Sequence, residues 1–278
     1  MVIVTDAIEG IKEIESKKLH YIVYSLNKKE VVFQVNSTIS YGNLSFRYGP
    51  HQEVLLAREL FFSHLQIVVK EFLGQIRHKI NFKTNFMQPI LMLPSHSNSI
   101  EVVDRHTKAG WKSLEGAVKA DGLLLYPLPA NNVLPLGVLT ADCAPVTMYL
   151  PSAQTLALFH VSRKNLDIIE DGLLLMKGLY YAQNKSSDLS NFNLVLFVGP
   201  SGKYPFVIKG SIVEINIRDE IKEKIDCFEK TQGIPPQSIK VYFSKYFTTD
   251  ENSFFFSHHL SHNNQEGEKR FMSLSMII

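Results

Sequence analysis

Four short apolar runs follow one another between residues 123 and 159: Leu123 to Tyr126, Val133 to Leu139, Val146 to Leu150 and Thr155 to Phe159. Apolar runs of this length, bounded by turn residues, read as buried strands. The turn Pro127 to Asn132 and the corner Thr140-Ala141-Asp142-Cys143 separate them. The last run delivers His160 at its end, seventeen residues after Cys143. Loops at strand ends, held by a rigid sheet, are where chemistry concentrates.

Helical patterns flank this strand-rich centre. Gln52 to Leu73 has apolar residues at Leu55, Leu56, Leu60, Phe62, Ile67, Val68 and Phe72, close to a 3.6 period, and Gly74 follows as a stop. Asn165 to Ala182 is a second helix, with Asn165 or Asp167 as its cap. Asn216 to Lys230 is a third, with Ile217, Ile221, Ile225 and Phe228 on one face, and Cys227 read there as core packing. Leu19 to Leu26 and Glu30 to Val35 read as strands around the turn Asn27-Lys28-Lys29. Asn193 to Val198, Ile239 to Phe243, Phe254 to His259 and Phe271 to Ile278 read as further strands. Asp104 to Lys119, which holds the only tryptophan, Trp111, reads as a loop or lid. No repeat and no Gly/Ser- or Pro-rich linker divides the chain, so residues 1–278 read as one α/β domain.

Composition narrows the class. Hydrophobic residues make up 45% of the 278 positions and charged residues 20%, a globular balance. A net charge of +2 offers no reason to expect nucleic acid or an acidic membrane as partner. Two cysteines make no disulfide framework. The start Met1-Val2-Ile3-Val4-Thr5-Asp6 does not read as a signal peptide, and no run approaches the ~20 apolar residues of a membrane span. A cytoplasmic location is the expectation.

Cys143, His160 and His96, the last in Pro94-Ser95-His96-Ser97-Asn98, supply the donor types zinc prefers, with a fourth position open. The same residues admit other readings. Cys143 could be a small buried hydrophobe, or a nucleophile activated by His160. A coupled copper site would draw on His-x-His pairs, which are absent, and His258-His259 with His262 reads as a surface cluster. Asp142 could orient a histidine, act as a base or cap the turn. Gly199-Pro200-Ser201-Gly202 could offer backbone N–H groups to an anion, or be a plain turn.

Taken in order, His96, Ala120-Asp121-Gly122, Thr140-Ala141-Asp142-Cys143-Ala144-Pro145-Val146, Phe159-His160-Val161, Gly199-Pro200-Ser201 and Phe255-Phe256-Ser257 resemble the bacterial polyphenol-oxidase or laccase-domain family. The resemblance runs from about Ser40 to Ser273. It implies the YfiH-like α/β (α+β) fold, with mixed β-sheets packed between outer helices. It implies a zinc enzyme of the kind described as a purine nucleoside phosphorylase with adenosine deaminase activity. The family's metal ligands fall on His96, Cys143 and His160. Asn43-Leu44-Ser45 and Arg58 are similar to its Asn-Leu-Gly turn and helix Asn-Arg.

The departures concern charge. Where the family has His-Ala-Gly-Trp-Arg-Gly, this chain has His160-Val161-Ser162-Arg163-Lys164-Asn165. Its Gln-Val-His-Gly is Pro94-Ser95-His96-Ser97 here, and its Ser-Tyr/His-Arg-Arg becomes Ser257-His258-His259-Leu260. Lys164 keeps a positive charge but loses the bidentate fork, and Arg270 matches a later arginine.

The expected partners are a purine nucleoside and phosphate, with Asn43, Arg58, Lys164 and Arg270 binding them and Asp142 moving a proton. Phosphorolysis needs positive charge on the phosphate and a donor for the leaving purine. Deamination needs a metal-activated water. The alternatives are a cysteine hydrolase or amidase using Cys143 and His160, and a weakened member that binds nucleosides without turnover. Oligomeric state is not legible in the sequence.

Overall fold

A computed structural model describes residues 10–15, 18–26, 30–76, 85–129, 132–185, 188–208, 211–250, 253–263 and 267–278. The turn at 27–29, residues 130–131 of the turn before Val133, the first nine residues and the side chain of His262 lie outside the described residues.

The chain opens with β1 (Gly10–Glu15), β2 (Leu19–Leu26), β3 (Glu30–Ser37) and the long helix α1 (His51–Ile76). The strand-rich centre follows: β4 (Asn85–Phe86), β5 (Ile90–Leu93), β6 (Ile100–Val103), β7 (Val118–Lys119), β8 (Gly122–Leu125), β9 (Asn132–Val133), β10 (Leu136–Thr140), β11 (Ala144–Leu150) and β12 (Thr155–Val161). Then come α2 (Ile168–Asn184), β13 (Leu194–Val198), β14 (Lys203–Ile208), β15 (Ser211–Asn216), α3 (Ile217–Gln232), β16 (Ile239–Phe243), α4 (His258–Asn263) and β17 (Phe271–Ile277).

Two large mixed sheets carry the fold. One has the order β1-β2-β3-β17-β10-β5-β7, the other β16-β13-β11-β12-β8-β6. They pack face to face through Ile22, Tyr24, Val138, Leu123, Leu158 and Phe197. Side chains alternate along a strand, so Tyr21, Val23, Phe33 and Val35 leave the first sheet on its outer face and meet Phe61, Leu65, Val69 and Phe72 of α1. Val146, Met148, Phe159 and Leu196 leave the second sheet outward and meet Ile169 and Leu173 of α2 and Ile221 and Ile225 of α3. The order is therefore helix, sheet, sheet, helices, the mixed α/β arrangement expected.

Several local expectations are corrected. The stripe of α1 that faces the core is Val54, Arg58, Phe61, Leu65, Val69 and Phe72, while Leu56, Leu60 and Ile67 are exposed. The helix carries apolar residues nearly all round, so their spacing alone does not choose its face. Helix α2 starts at Ile168 with no side-chain bond from Asp167, and the Asn165 side chain is used elsewhere. Asn216 does cap α3, accepting from the Arg218 N–H at 3.1 Å. Cys227 is exposed, off the α3 stripe, and is not core packing. Residues 254–257 form no strand, and His258 opens a short helix. Trp111 is buried against α1 and its carbonyl accepts from Arg58 at 2.6 Å, so this segment is packed rather than an open flap.

The strands on either side of Cys143 do not pair as a hairpin. Strand β10 lies in the seven-stranded sheet and β11 in the six-stranded one, so residues 141–143 cross between sheets. The hairpin is β11–β12, with Pro145 opposite His160.

Candidate metal centre

Three crossings make the site. Strands β5 and β10 run parallel, as do β5 and β7, so the three end on the same edge of the seven-stranded sheet. From that edge each passes to the other sheet: β5 to β6, β7 to β8 and β10 to β11. The crossings carry His96, Asp121 and Cys143 in turn. Strand β12 is antiparallel to β8 and β11 and ends where they begin, which brings His160 to the same place. Crevices at the carboxyl ends of parallel strands are the usual ligand sites of such sheets.

The β11–β12 register explains the Cys143–His160 spacing. Cys143 lies two residues before Pro145, the partner of His160, on the same face and at the diagonal distance where side chains meet. Cys143 stands close enough to His160 to raise the pKa of its ring.

Asp121 holds the opposite wall. It is fully buried, and its carboxylate accepts three successive backbone N–H groups, from Ser95 (3.0 Å), His96 (2.9 Å) and Ser97 (2.6 Å). The hydroxyls of Ser95 and Ser97 donate to it as well, each at 3.3 Å. This cradle supports a loop in which His96 and Asn98 take left-handed conformations, φ 57° and 60°, which cost of order 1–3 kcal/mol for residues with a side chain. The carbonyl of Asp121 accepts the His160 N–H at 2.8 Å. One residue thus ties both histidines together. Next to it, Gly122 gives room for the Phe159 ring: a Cβ there would stand 2.8 Å from Phe159 Cδ1.

His96, Asp121 and His160 have ligand atoms all within 4.8 Å of one another and could hold a metal ion. The rings of His96 and His160 are 5.2 Å apart. His160 is buried, and its Nδ1 has no hydrogen-bond partner among the described residues, the nearest carboxylate oxygen, of Asp121, being 3.8 Å away. Burial alone would lower the His160 pKa, but the neighbouring Cys143 and Asp121 outweigh it and hold the ring at about 9. Burial raises the Asp121 pKa, but the neighbouring His160 and the hydrogen bonds from the loop N–H groups prevail, leaving it well below the usual carboxylate range. Burial, His160 and Lys164 push the His96 pKa down, against the pull of Asp121.

The crossings that carry His96 and Cys143, and the end of β12, open onto a cavity of about 440 Å³. His96, Cys143, His160, Asp142, Arg58, Lys164 and Arg270 all line it. Arg58 is fully buried; its Nε donates to Leu44 O at 2.9 Å, and its guanidinium lies 4.1 Å from the Phe46 ring centre. Its Nη2 finds no acceptor among the described residues. Burial lowers its pKa to about 10, so it stays charged at neutral pH. Arg270 lies over Tyr48 and donates to Glu268 at 2.9 Å.

Two expected residues serve differently. Asn43 lines a neighbouring pocket of about 360 Å³, and its Oδ1 accepts the Arg270 N–H at 3.1 Å, so it positions that arginine rather than facing the main cavity. Both oxygens of Asp142 accept hydrogen bonds, from Thr248 Oγ1 at 2.6 Å and the His259 N–H at 2.9 Å, so it anchors the C-terminal segment to the corner. Two N–H groups of the turn at 199–202 are likewise taken within the protein, Gly199 by Pro145 O and Gly202 by Asp142 O, so it is no anion cradle. His258, read as surface, is exposed and also lines the cavity. Arg47 and Tyr48 line it too, and no spacing in the sequence singles them out. Asp121 is visible in the sequence within the Ala120-Asp121-Gly122 segment ahead of an apolar run, with nothing there to give it a role.

The multi-copper polyphenol oxidoreductase laccase family matches residues 58–200, half of the chain, including the three crossings and His160. The chain belongs to this family. Its fold is similar to that of a Bacillus licheniformis hypothetical protein, YfiH, at 17% identity over 95% of this chain and 98% of the other, with a TM-score of 0.66. YlmD from Geobacillus stearothermophilus is similar at 16% identity over 96% and 98%, TM-score 0.60. Neisseria meningitidis NMB0706 is similar at 14% identity over 96% and 98%, TM-score 0.53. No curated protein matches the sequence. No described helix is long and apolar enough to cross a membrane.

Proposed function

We propose that this family member is a zinc-dependent purine nucleoside phosphorylase acting on adenosine- and inosine-type nucleosides, with adenosine deamination as a second activity of the same site. The observation that supports the reading is one cavity of about 440 Å³ lined by His96, Cys143 and His160 together with Arg58, Lys164 and Arg270. The family's description points to copper. Imidazole suits copper and zinc alike, and two imidazoles with one thiolate, leaving a fourth position open, match a catalytic zinc site. The buried His160 Nδ1, without a partner among the described residues, is one of the atoms that could hold a metal ion. Asp121 has both oxygens engaged by its loop, which favours Cys143 as third donor and Asp121 as the group that aims the rings.

Zinc, when bound, supplies a Lewis acid to this wall of the cavity. The rest is done by the chain. Arg58, Lys164 and Arg270 supply positive charge for a phosphate in the cavity. Holding phosphate and nucleoside together in this cavity supplies proximity and orientation.

The test is zinc content and turnover of inosine and adenosine, with and without phosphate. Wild type is expected to hold near-stoichiometric zinc and to cleave inosine only when phosphate is present, and Cys143→Ala to lose both. A wild-type chain without zinc, or full activity in Cys143→Ala, overturns the reading. The raised His160 pKa beside Cys143 favours a second reading, a cysteine hydrolase with His160 as base. Covalent labelling of Cys143 by a thiol-directed probe in metal-free, active protein would select it.

A further inference from the structure

Two residues of the His160 loop, Ser162 and Asn165, stand near His96 although 66 and 69 positions away in the chain. Both occupy positions where the His-Ala-Gly-Trp-Arg-Gly motif has glycine. The Asn165 side chain bridges two backbone groups: its Oδ1 accepts the Ser162 N–H at 2.7 Å and its Nδ2 donates to His160 O at 2.9 Å. A backbone N–H only donates and a carbonyl only accepts. The orientation of the amide is therefore fixed, because a flipped one would set donor against donor and acceptor against acceptor.

The consequence reaches His96. Ser162 Oγ lies 2.6 Å from Asn165 Oδ1, and at that distance the hydroxyl proton must lie between the two oxygens. Ser162 Oγ also accepts the Lys164 N–H at 3.2 Å. Its single proton is committed, and one lone pair remains. His96 Nδ1 is 3.1 Å away. With no proton left on the serine to give, His96 must be the donor.

We infer that Ser162 and Asn165 are positioning residues that lock neutral His96 in the Nδ1–H tautomer, leaving its Nε2 as the bare lone pair for an electrophile. The same Asn165 amide holds the His160 carbonyl, so one side chain sets the ring of His96 and the backbone of His160 together. Hydrogen bonds to the far nitrogen of a metal-binding imidazole orient the ring in this way. The hydrogen-bond assignment stands on backbone polarity alone; its use for zinc rests on the proposed metal site.

The experiment is a long-range ¹H–¹⁵N spectrum of metal-free, ¹⁵N-histidine-labelled protein above the titration range of His96, with a zinc titration of the same samples. Wild type is expected to show His96 protonated on Nδ1. Ser162→Ala is expected to lose that bias and bind zinc roughly 10-fold more weakly, and Ser162→Thr, which keeps the hydroxyl, to restore both. His96 protonated on Nε2 in wild type, or a tautomer unmoved in a folded Ser162→Ala, overturns the inference. A wild-type chain with the Nδ1–H form and no zinc affinity supports the hydrogen-bond assignment and overturns the metal reading instead.

Discussion

Two buried histidines beside carboxylates can be set against each other. His20 donates to Glu13 at 2.6 Å through Nε2, and its Nδ1 accepts from Asn36 at 2.9 Å, so both ring nitrogens are satisfied. Glu13 also accepts from Tyr242 (2.8 Å) and Ser244 (2.7 Å), joining β1 of one sheet to the end of the other. His160 is equally buried, yet it stands 3.8 Å from Asp121 with an orphaned Nδ1, on a cavity wall. Leaving a buried polar atom unpaired costs about 1–3 kcal/mol. Among the described residues the first histidine is satisfied completely and holds the sheets together, and the second is left incomplete where a metal ion could be held.

Exchanging the roles gives the largest expected effect. His20→Ala strands Glu13 without its main partner and should lower stability by on the order of 3 kcal/mol, with zinc affinity unchanged. His160→Ala should lose zinc binding and cost only about 1 kcal/mol. Denaturant unfolding and zinc titration of both variants check this, and equal losses of stability would end the comparison. A smaller effect is expected at Gly122, whose added methyl would press on Phe159. Gly122→Ala should cost about 2 kcal/mol and weaken zinc binding, because Phe159 precedes His160. Unchanged stability would show that the ring yields.

The smallest effect is acid sensitivity. Burial opposes the charge on Glu13, but His20, Ser244 and Tyr242 hold its pKa down at about 2, below the ordinary 4.5. A carboxylate depressed on folding stabilises fully above its unfolded pKa and loses that contribution as pH falls toward the folded one. Unfolding free energy should therefore drop by about 1–2 kcal/mol, discounted for partial exposure, between pH 4.5 and 2. The drop should shrink in Glu13→Gln. An identical acid slope in that variant would remove Glu13 from the account.

Much of this arrangement is legible in the order of residues. Strands β8, β10, β11 and β12 follow from their apolar runs, and α3 from its stripe and its Asn216 cap. The seventeen-residue interval from Cys143 to His160 suits a seven-residue strand, a turn and a return, which is what β11 and β12 make. The face of α1 is not legible, because its buried stripe includes Arg58, while Leu56 and Leu60 point outward. Nor is Asp121: a single acid before a strand carries no sign that five donors from one loop will converge on it.

Local pattern is enough to set which segments are strands and helices, the order of the family's motifs, and the nearness of Cys143 to His160, since periodicity and short loops are properties of neighbouring residues. It is not enough to put β10 and β11 in different sheets, to bring His96, Asp121 and Cys143 to one edge through three crossings, or to leave one nitrogen of His96 bare. Those are set by tertiary packing. They follow from parallel register and from hydrogen bonds between residues tens of positions apart, where packing chooses partners that no local pattern records.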